Sequence, residues 1–245
     1  MLSRISIWRL LTEDSYNQRG YGSPCPHKIT AMILNNFSKE DILYNVAKVV
    51  AEFSTSSIPG GLTLKYAKQL KNRAIPDNTI LGVHHYTIQG NTVYVVATKR
   101  LFYRSPRKGG ELTFTYYISV LNSTTGKYSY VRPNWDITNT QMTGYILFTA
   151  HFIQRLKERA GITFPELLKT NPGRCTPLAD MEGENKVQTV WGTYRLFGSV
   201  DGPYVNIATM VTDDMLYENQ LPVEDEFDAM IAGYVNDQKK LYTAA

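Results

Sequence analysis

The chain has 245 residues, a formal net charge of +4 and a pI near 8.9, with 43% hydrophobic and 20% charged residues. That length accommodates one large or two small domains with a buried core, and the mild basicity is compatible with a nucleic-acid partner without demonstrating one. Two cysteines, Cys25 and Cys175, are too few for a disulfide framework, and Arg4 and Arg9 interrupt the apolar N-terminus, so neither a secretory leader nor a membrane span is expected.

Residues 1–36 are irregular by pattern, apart from a short helix expected near 5–11. Cys25-Pro-His27 lacks the second ligand pair that a zinc site needs, so no metal is expected. Ser38 is predicted to cap a helix over 39–53, with Ile42, Val46, Val49, Val50 and Phe53 as its buried stripe. The run STSSIPGG at 54–61 breaks the pattern, and a second helix is predicted over 62–73. Lys65, Lys68, Lys71 and Arg73 decorate that second helix; such a set either faces phosphate or is a solvated face, and the solvated face is the expectation.

From residue 75 the pattern becomes β-rich. Hairpins are predicted over 79–103, turning at Gln89-Gly-Asn91, and over 111–132, turning at 122–126. His84 and His85 are neighbours on a strand and so point to opposite faces, which prevents joint ligation of one ion. Lys99, Arg100, Arg104, Arg107 and Lys108 interleave with Phe102 and Tyr103 between the hairpins. Cations neutralise phosphates and aromatic faces stack bases, so these five are the candidate nucleic-acid-binding residues. The competing explanation is an exposed hairpin tip whose charge blocks edge pairing.

The segment FTAHFIQRLKER at 148–159 carries the strongest chemical pattern. His151, Arg155 and Arg159 repeat every four residues and stack on one helical face, with Glu158 beside them. Phe148, Phe152 and Leu156 form a second row about 100° away, suited to the core. The spacing predicts a helix over 148–160, closed by Gly161, then a short helix opened by a Thr163–Glu166 capping box. Three β-rich runs over 186–211 are expected to form an antiparallel meander on that helix through Val190, Leu196, Val205 and Ile207. Residues 222–241 are predicted to be an amphipathic helix, acidic at its start and basic at its end.

An apolar run followed by His-x-x-x-Arg-x-x-x-Arg, Gly-Ile, a capped short helix and several strands resembles the RelE/BrnT-like superfamily of small ribonuclease toxins and related uncharacterised proteins with the same helix. The resemblance covers 145–220, under a third of the chain. It implies metal-independent RNA cleavage of the kind some members perform, with no cofactor and a compact unit of helix and antiparallel sheet.

The expected class is therefore α+β. Its segments are an N-terminal helical part (1–75), a β-hairpin-rich region (76–140), a RelE/BrnT-like unit (141–221) and the C-terminal helix (222–245). The catalytic candidates are His151, Arg155, Glu158 and Arg159, with the imidazole as proton-transfer group and the guanidinium forks as phosphate holders. The expected partner is nucleic acid, RNA ahead of DNA, in the cytoplasm. The alternative is a non-catalytic structural component of a phage or other mobile element, working through protein partners in an assembly such as a virion. Either leaves an oligomer open, and the 140 residues before the motif favour the alternative.

Overall fold

The computed structural model describes residues 32–101, 109–136, 141–170, 186–191 and 193–215. Cys25, His27, Cys175 and the helix predicted over 222–241 lie outside these residues.

The first helix, α1 (Lys39–Thr55), forms where its pattern places it. The Ser38 hydroxyl accepts from the Asp41 amide at 3.1 Å, and Glu40 and Asp41 add negative charge at the positive end of the helix dipole. Ile42, Val46, Val49, Val50 and Phe53 are all buried, as their spacing requires. Phe53 anchors the stripe, with edge-on contacts to Tyr86, Phe114 and Tyr116 at centroid distances of 5.8, 5.7 and 5.3 Å.

The helix expected over 62–73 is two helices, α2 (Ile58–Lys65) and α3 (Ala67–Lys71). The start moves upstream because Pro59 fits the first helical turn, where its missing N–H costs nothing. The break falls at Tyr66, whose backbone leaves helical geometry at φ −99° and ψ 9°. Its buried ring turns onto the sheet, and its hydroxyl lies 2.8 Å from Nε2 of His84.

Five strands follow: β1 (Thr79–Ile88), β2 (Asn91–Leu101), β3 (Gly110–Leu121), β4 (Tyr128–Asp136) and β5 (Gln141–Phe148). After helices α4 (Ala150–Ala160) and α5 (Phe164–Leu167) come β6 (Lys186–Trp191), β7 (Tyr194–Asp201) and β8 (Tyr204–Thr212), then a single 3-10 turn, Asp213–Met215. All eight strands form one sheet in the order β1-β2-β3-β4-β5-β8-β7-β6. The β1–β2 hairpin turns at Gln89 and Gly90, both at positive φ, the geometry that matches strand twist. The meander over β6–β8 is antiparallel, as expected. It joins the hairpin region through a parallel pairing of β5 with β8, Tyr145 opposite Tyr204 through Phe148 opposite Ile207. The hairpins and the meander thus share one sheet.

The class is α+β, a mostly antiparallel sheet with helices on both faces. On one face α1–α3 cover Val93, Val95, Ala97, Ile118, Val120 and Val131. On the other, α4 and α5 cover Val96, Tyr117, Ile146, Phe148, Trp191, Leu196, Ile207 and Met210. Two covered faces explain why β2 reads as a near-continuous apolar run rather than an alternation. Of the four expected meander core residues, Leu196 and Ile207 are buried, Val205 is partly buried against the same cluster, and the Val190 side chain lies outside the description.

Gly198 holds the β7–β8 register. It sits where that register shifts, and a Cβ there would lie 1.8 Å from the Asn206 carbonyl oxygen. The obstruction is backbone, so the strands must separate to admit it. Gly198→Ala is expected to lower stability by about 1–3 kcal/mol, the usual cost of forced overpacking. Urea unfolding would show this as a lower midpoint at unchanged slope.

Candidate functional site

Helix α4 starts two residues after its predicted start, because Phe148 is the last residue of β5. Thr149 is the cap: its hydroxyl accepts from the Phe152 amide at 3.1 Å, while its own amide donates to the Ile207 carbonyl at 3.0 Å. The first turn is held from another side by Ser129, whose hydroxyl accepts from the Ala150 amide at 3.0 Å. The apolar row survives the changed boundary, with Phe148, Phe152 and Leu156 all buried. At the far end Gly161 adopts the left-handed conformation at φ 67° and donates to the Lys157 carbonyl. The capping box opens α5 as expected, the Glu166 carboxylate accepting from the Thr163 amide at 2.7 Å. Those hydrogen bonds hold the Glu166 carboxyl below its ordinary range.

With the buried row fixed, His151, Arg155 and Glu158 occupy an open flank of α4. His151 is exposed, and the side chains of Arg155 and Glu158 are 38% and 42% accessible. Nε of Arg155 donates to Nε2 of His151 at 3.4 Å, and Nη1 of Arg155 donates to Oε2 of Glu158 at 2.8 Å. The other carboxylate oxygen, Oε1, accepts from Nε2 of Gln154 at 2.6 Å. Lys127, from the β3–β4 turn, donates to Oε1 of Gln154 at 3.2 Å. The result is one polar chain, Lys127–Gln154–Glu158–Arg155–His151, across the helix surface. The Gln154 hydrogen bond, then the charge and hydrogen bond of Arg155 and the charge of His151, hold the Glu158 carboxyl below the usual carboxylate range. Glu158 therefore remains an ionised acceptor into mildly acidic solution.

Arg159 also reaches main chain. Its Nη1 donates to the Met210 carbonyl at 2.6 Å, so this guanidinium braces α4 against β8. A charged donor on a carbonyl is worth about 1.5–3 kcal/mol where fully buried. Arg159 is partly exposed, so Arg159→Ala is expected to cost about 1–2 kcal/mol, discounted for solvent. The same urea titration checks it. A loss of activity without a loss of stability would instead return Arg159 to the phosphate-holding set.

Lys99 departs from its predicted role. It is fully buried. Its ammonium donates to the Ile75 carbonyl at 3.0 Å and to the Asn72 carbonyl, just past the end of α3. The Asn72 carbonyl also accepts from the Ile75 amide at 3.3 Å, so the ammonium ties the end of α3 to the segment that follows it. Lys99 is a structural cap, not a nucleic-acid contact. Arg100 is exposed, and Arg104, Arg107 and Lys108 lie outside the described residues.

His84 and His85 point to opposite sides, as alternation requires. His84 meets Tyr66, and the His85 ring lies 5.4 Å from that of Tyr94. Burial, and then the charge of Lys65, favour neutral His84, while burial and then Tyr86 raise the Tyr66 hydroxyl above its ordinary value. Among the described residues no group of three or more His, Cys, Asp or Glu side chains is placed to hold a metal ion. None of the described helices is long and apolar enough to cross a membrane.

Lys127, Gln154 and Ser129 were not among the sequence candidates. The Gln154–Glu158 pair is legible in principle, since residues four apart on a helix are neighbours. Lys127 and Ser129 reach α4 only through the sheet. No family model, curated protein or solved structure matches this chain.

Proposed function

We propose that this protein binds single-stranded RNA on the open flank of α4 and cleaves it by internal transphosphorylation. One observation carries the proposal: a carboxylate, a guanidinium and an imidazole are joined in that order on a solvent-facing surface. Glu158 takes the proton from a ribose 2′-hydroxyl. The 2′-oxygen attacks the adjacent phosphorus, and the 5′-oxygen leaves with a proton from the His151 imidazolium, giving a 2′,3′-cyclic phosphate and a 5′-hydroxyl. Arg155 turns from its present partners onto the non-bridging oxygens and offsets the charge that develops there. The proton taken by Glu158 and the proton given by His151 balance, so the step closes without a metal ion or a covalent enzyme intermediate. In the unliganded structure Nε2 of His151 is placed to accept from Arg155; movement of Arg155 to phosphate frees that nitrogen to carry the transferred proton.

Arg159 serves here as a positioning residue, holding α4 on β8 so that the reactive flank keeps its register. The RelE/BrnT-like resemblance supports the same reaction class. A non-catalytic assembly component of a phage or mobile element is the second reading, favoured by a specific observation. Arg155 already has Glu158 as its counter-ion and Arg159 already donates to main chain, so both guanidinium groups have partners within the fold.

The test is incubation of the purified full chain with single-stranded RNAs of varied sequence in EDTA. Cleavage that persists through metal removal supports the transphosphorylation reading. Intact RNA across all substrates overturns it and leaves the assembly reading in its place.

A further inference from the structure

Away from α4, on the opposite face of the sheet, two basic stretches far apart in sequence meet at one corner. The C-terminal end of α3 is tied to the end of β2 by the Lys99 ammonium on Asn72 and Ile75. The Lys99 carbonyl accepts from the Asn78 amide at 2.8 Å, and the Leu101 amide donates to Oδ1 of Asp77 at 2.7 Å. The start of β3 presses on the same place: a Cβ on Gly109 would lie 2.9 Å from the Leu70 carbonyl oxygen, and its φ of +86° already favours glycine. Lys65, Lys68, Lys71 and Arg73 of the helical side, and Arg100 of the strand side, are all exposed. These elements also hold two carboxylates. Asp77 accepts from backbone, and Glu111 lies directly opposite Arg100 in the strand register. Cations therefore dominate the corner.

We propose that this corner, formed by Lys65, Lys68, Lys71 and Arg100, is a second contact surface for single-stranded RNA. The inference rests on the RNA reading above and extends it: the corner tethers the strand, while the α4 flank acts on it. Lys68 and Lys71 lie three residues apart on α3, about 4.5 Å along its axis, and Lys65 ends α2 just before the break, so the charge along this edge suits a partner with repeated negative charge. The exposed apolar surface of α2 and α3 is limited to Leu64, at 79% accessibility. An amphipathic peptide or a lipid interface needs a continuous apolar strip, and the corner lacks one. Arg104, Arg107 and Lys108 lie in the intervening sequence and are not part of the proposed surface.

The test is fluorescence-anisotropy binding of a labelled mixed-sequence RNA 20-mer in EDTA at several salt concentrations. The His151→Ala protein is compared with the same protein carrying Lys68→Gln and Lys71→Gln. Each phosphate contact contributes about 0.7 to the salt slope for a single strand, so losing two should reduce the slope by about 1.4 and weaken binding about 25-fold at roughly 0.1 M salt. Circular dichroism should show the same fold and midpoint, since both lysines are exposed. In the otherwise native chain the two substitutions should raise KM and leave kcat unchanged. Unchanged affinity and slope overturn the proposal, as does corner-dependent binding to phosphatidylserine vesicles or polyglutamate in place of RNA. The two readings fail separately. Corner-dependent RNA binding without cleavage keeps the corner and removes the catalytic reading. Cleavage with unaltered binding in the double variant keeps the catalytic reading and removes the corner.

Discussion

Replacing His151 with alanine is expected to slow RNA cleavage by about 10²–10⁴-fold, the range that one positioned acid–base group contributes. The side chain is exposed and bonded to Arg155, so the unfolding free energy should stay within about 0.5 kcal/mol of the parent. Arg155→Ala should cost about 10²–10³-fold, the usual loss on removing one preorganised donor to developing charge. Arg155→Lys should recover little, because an ammonium cannot present the planar fork. The pH profile separates the roles. Glu158 acts as a base only when ionised, and its carboxyl is held low. Activity should therefore persist into mildly acidic solution and fall only as the pH drops through the depressed value. Glu158→Gln should abolish that acidic limb together with most of the rate. A His151→Ala protein that unfolds instead would make the residue structural.

The largest effect on stability is expected at Lys99. Lysine is rarely fully buried, and here it is buried on two main-chain carbonyls at the end of α3. Truncation removes the ammonium from both carbonyls, although Asn72 keeps the Ile75 amide, at about 1–3 kcal/mol, and also removes the packed stem. Lys99→Ala should therefore cost about 3–5 kcal/mol, comparable with a large-to-small core substitution. Lys99→Met keeps most of the stem and isolates the hydrogen-bond loss, so about 1–3 kcal/mol is expected for it. Urea unfolding of the two variants gives both values. If Lys99→Ala is neutral for stability yet weakens RNA binding, the buried-cap assignment is wrong and the original nucleic-acid role returns.

The parts of the fold legible in the sequence are those whose physics is local. The stripe of α1 follows from 3.6-residue periodicity and a serine cap, and the first hairpin follows from strand alternation around Gln89-Gly90. The end of β5 was harder, because Phe148 satisfies two patterns at once: it closes an apolar strand and heads the row continued by Phe152 and Leu156. The cap at Thr149 decides between them, and part of its support comes from Ile207 on β8. The break at Tyr66 depends on His84, a partner 18 residues downstream. The parallel joining of β5 to β8 depends on the crossover between them, which no pattern within either strand records. The site divides in the same way. Four-residue spacing brings His151 and Arg155 together, but not the Met210 carbonyl that engages Arg159, nor the Asn72 and Ile75 carbonyls that bury Lys99. A sequence displays charge but not the main-chain acceptors that the charge engages.

The central claim is attack by the ribose 2′-hydroxyl under the control of Glu158 and His151. It is tested most directly by mass analysis of the ends produced from two oligonucleotides of one sequence, an all-RNA strand and the same strand with 2′-deoxyribose throughout. The account predicts 2′,3′-cyclic phosphate and 5′-hydroxyl ends from the RNA and no cleavage of the deoxy strand. Equal cleavage of both strands, or 5′-phosphate ends from either, would contradict it.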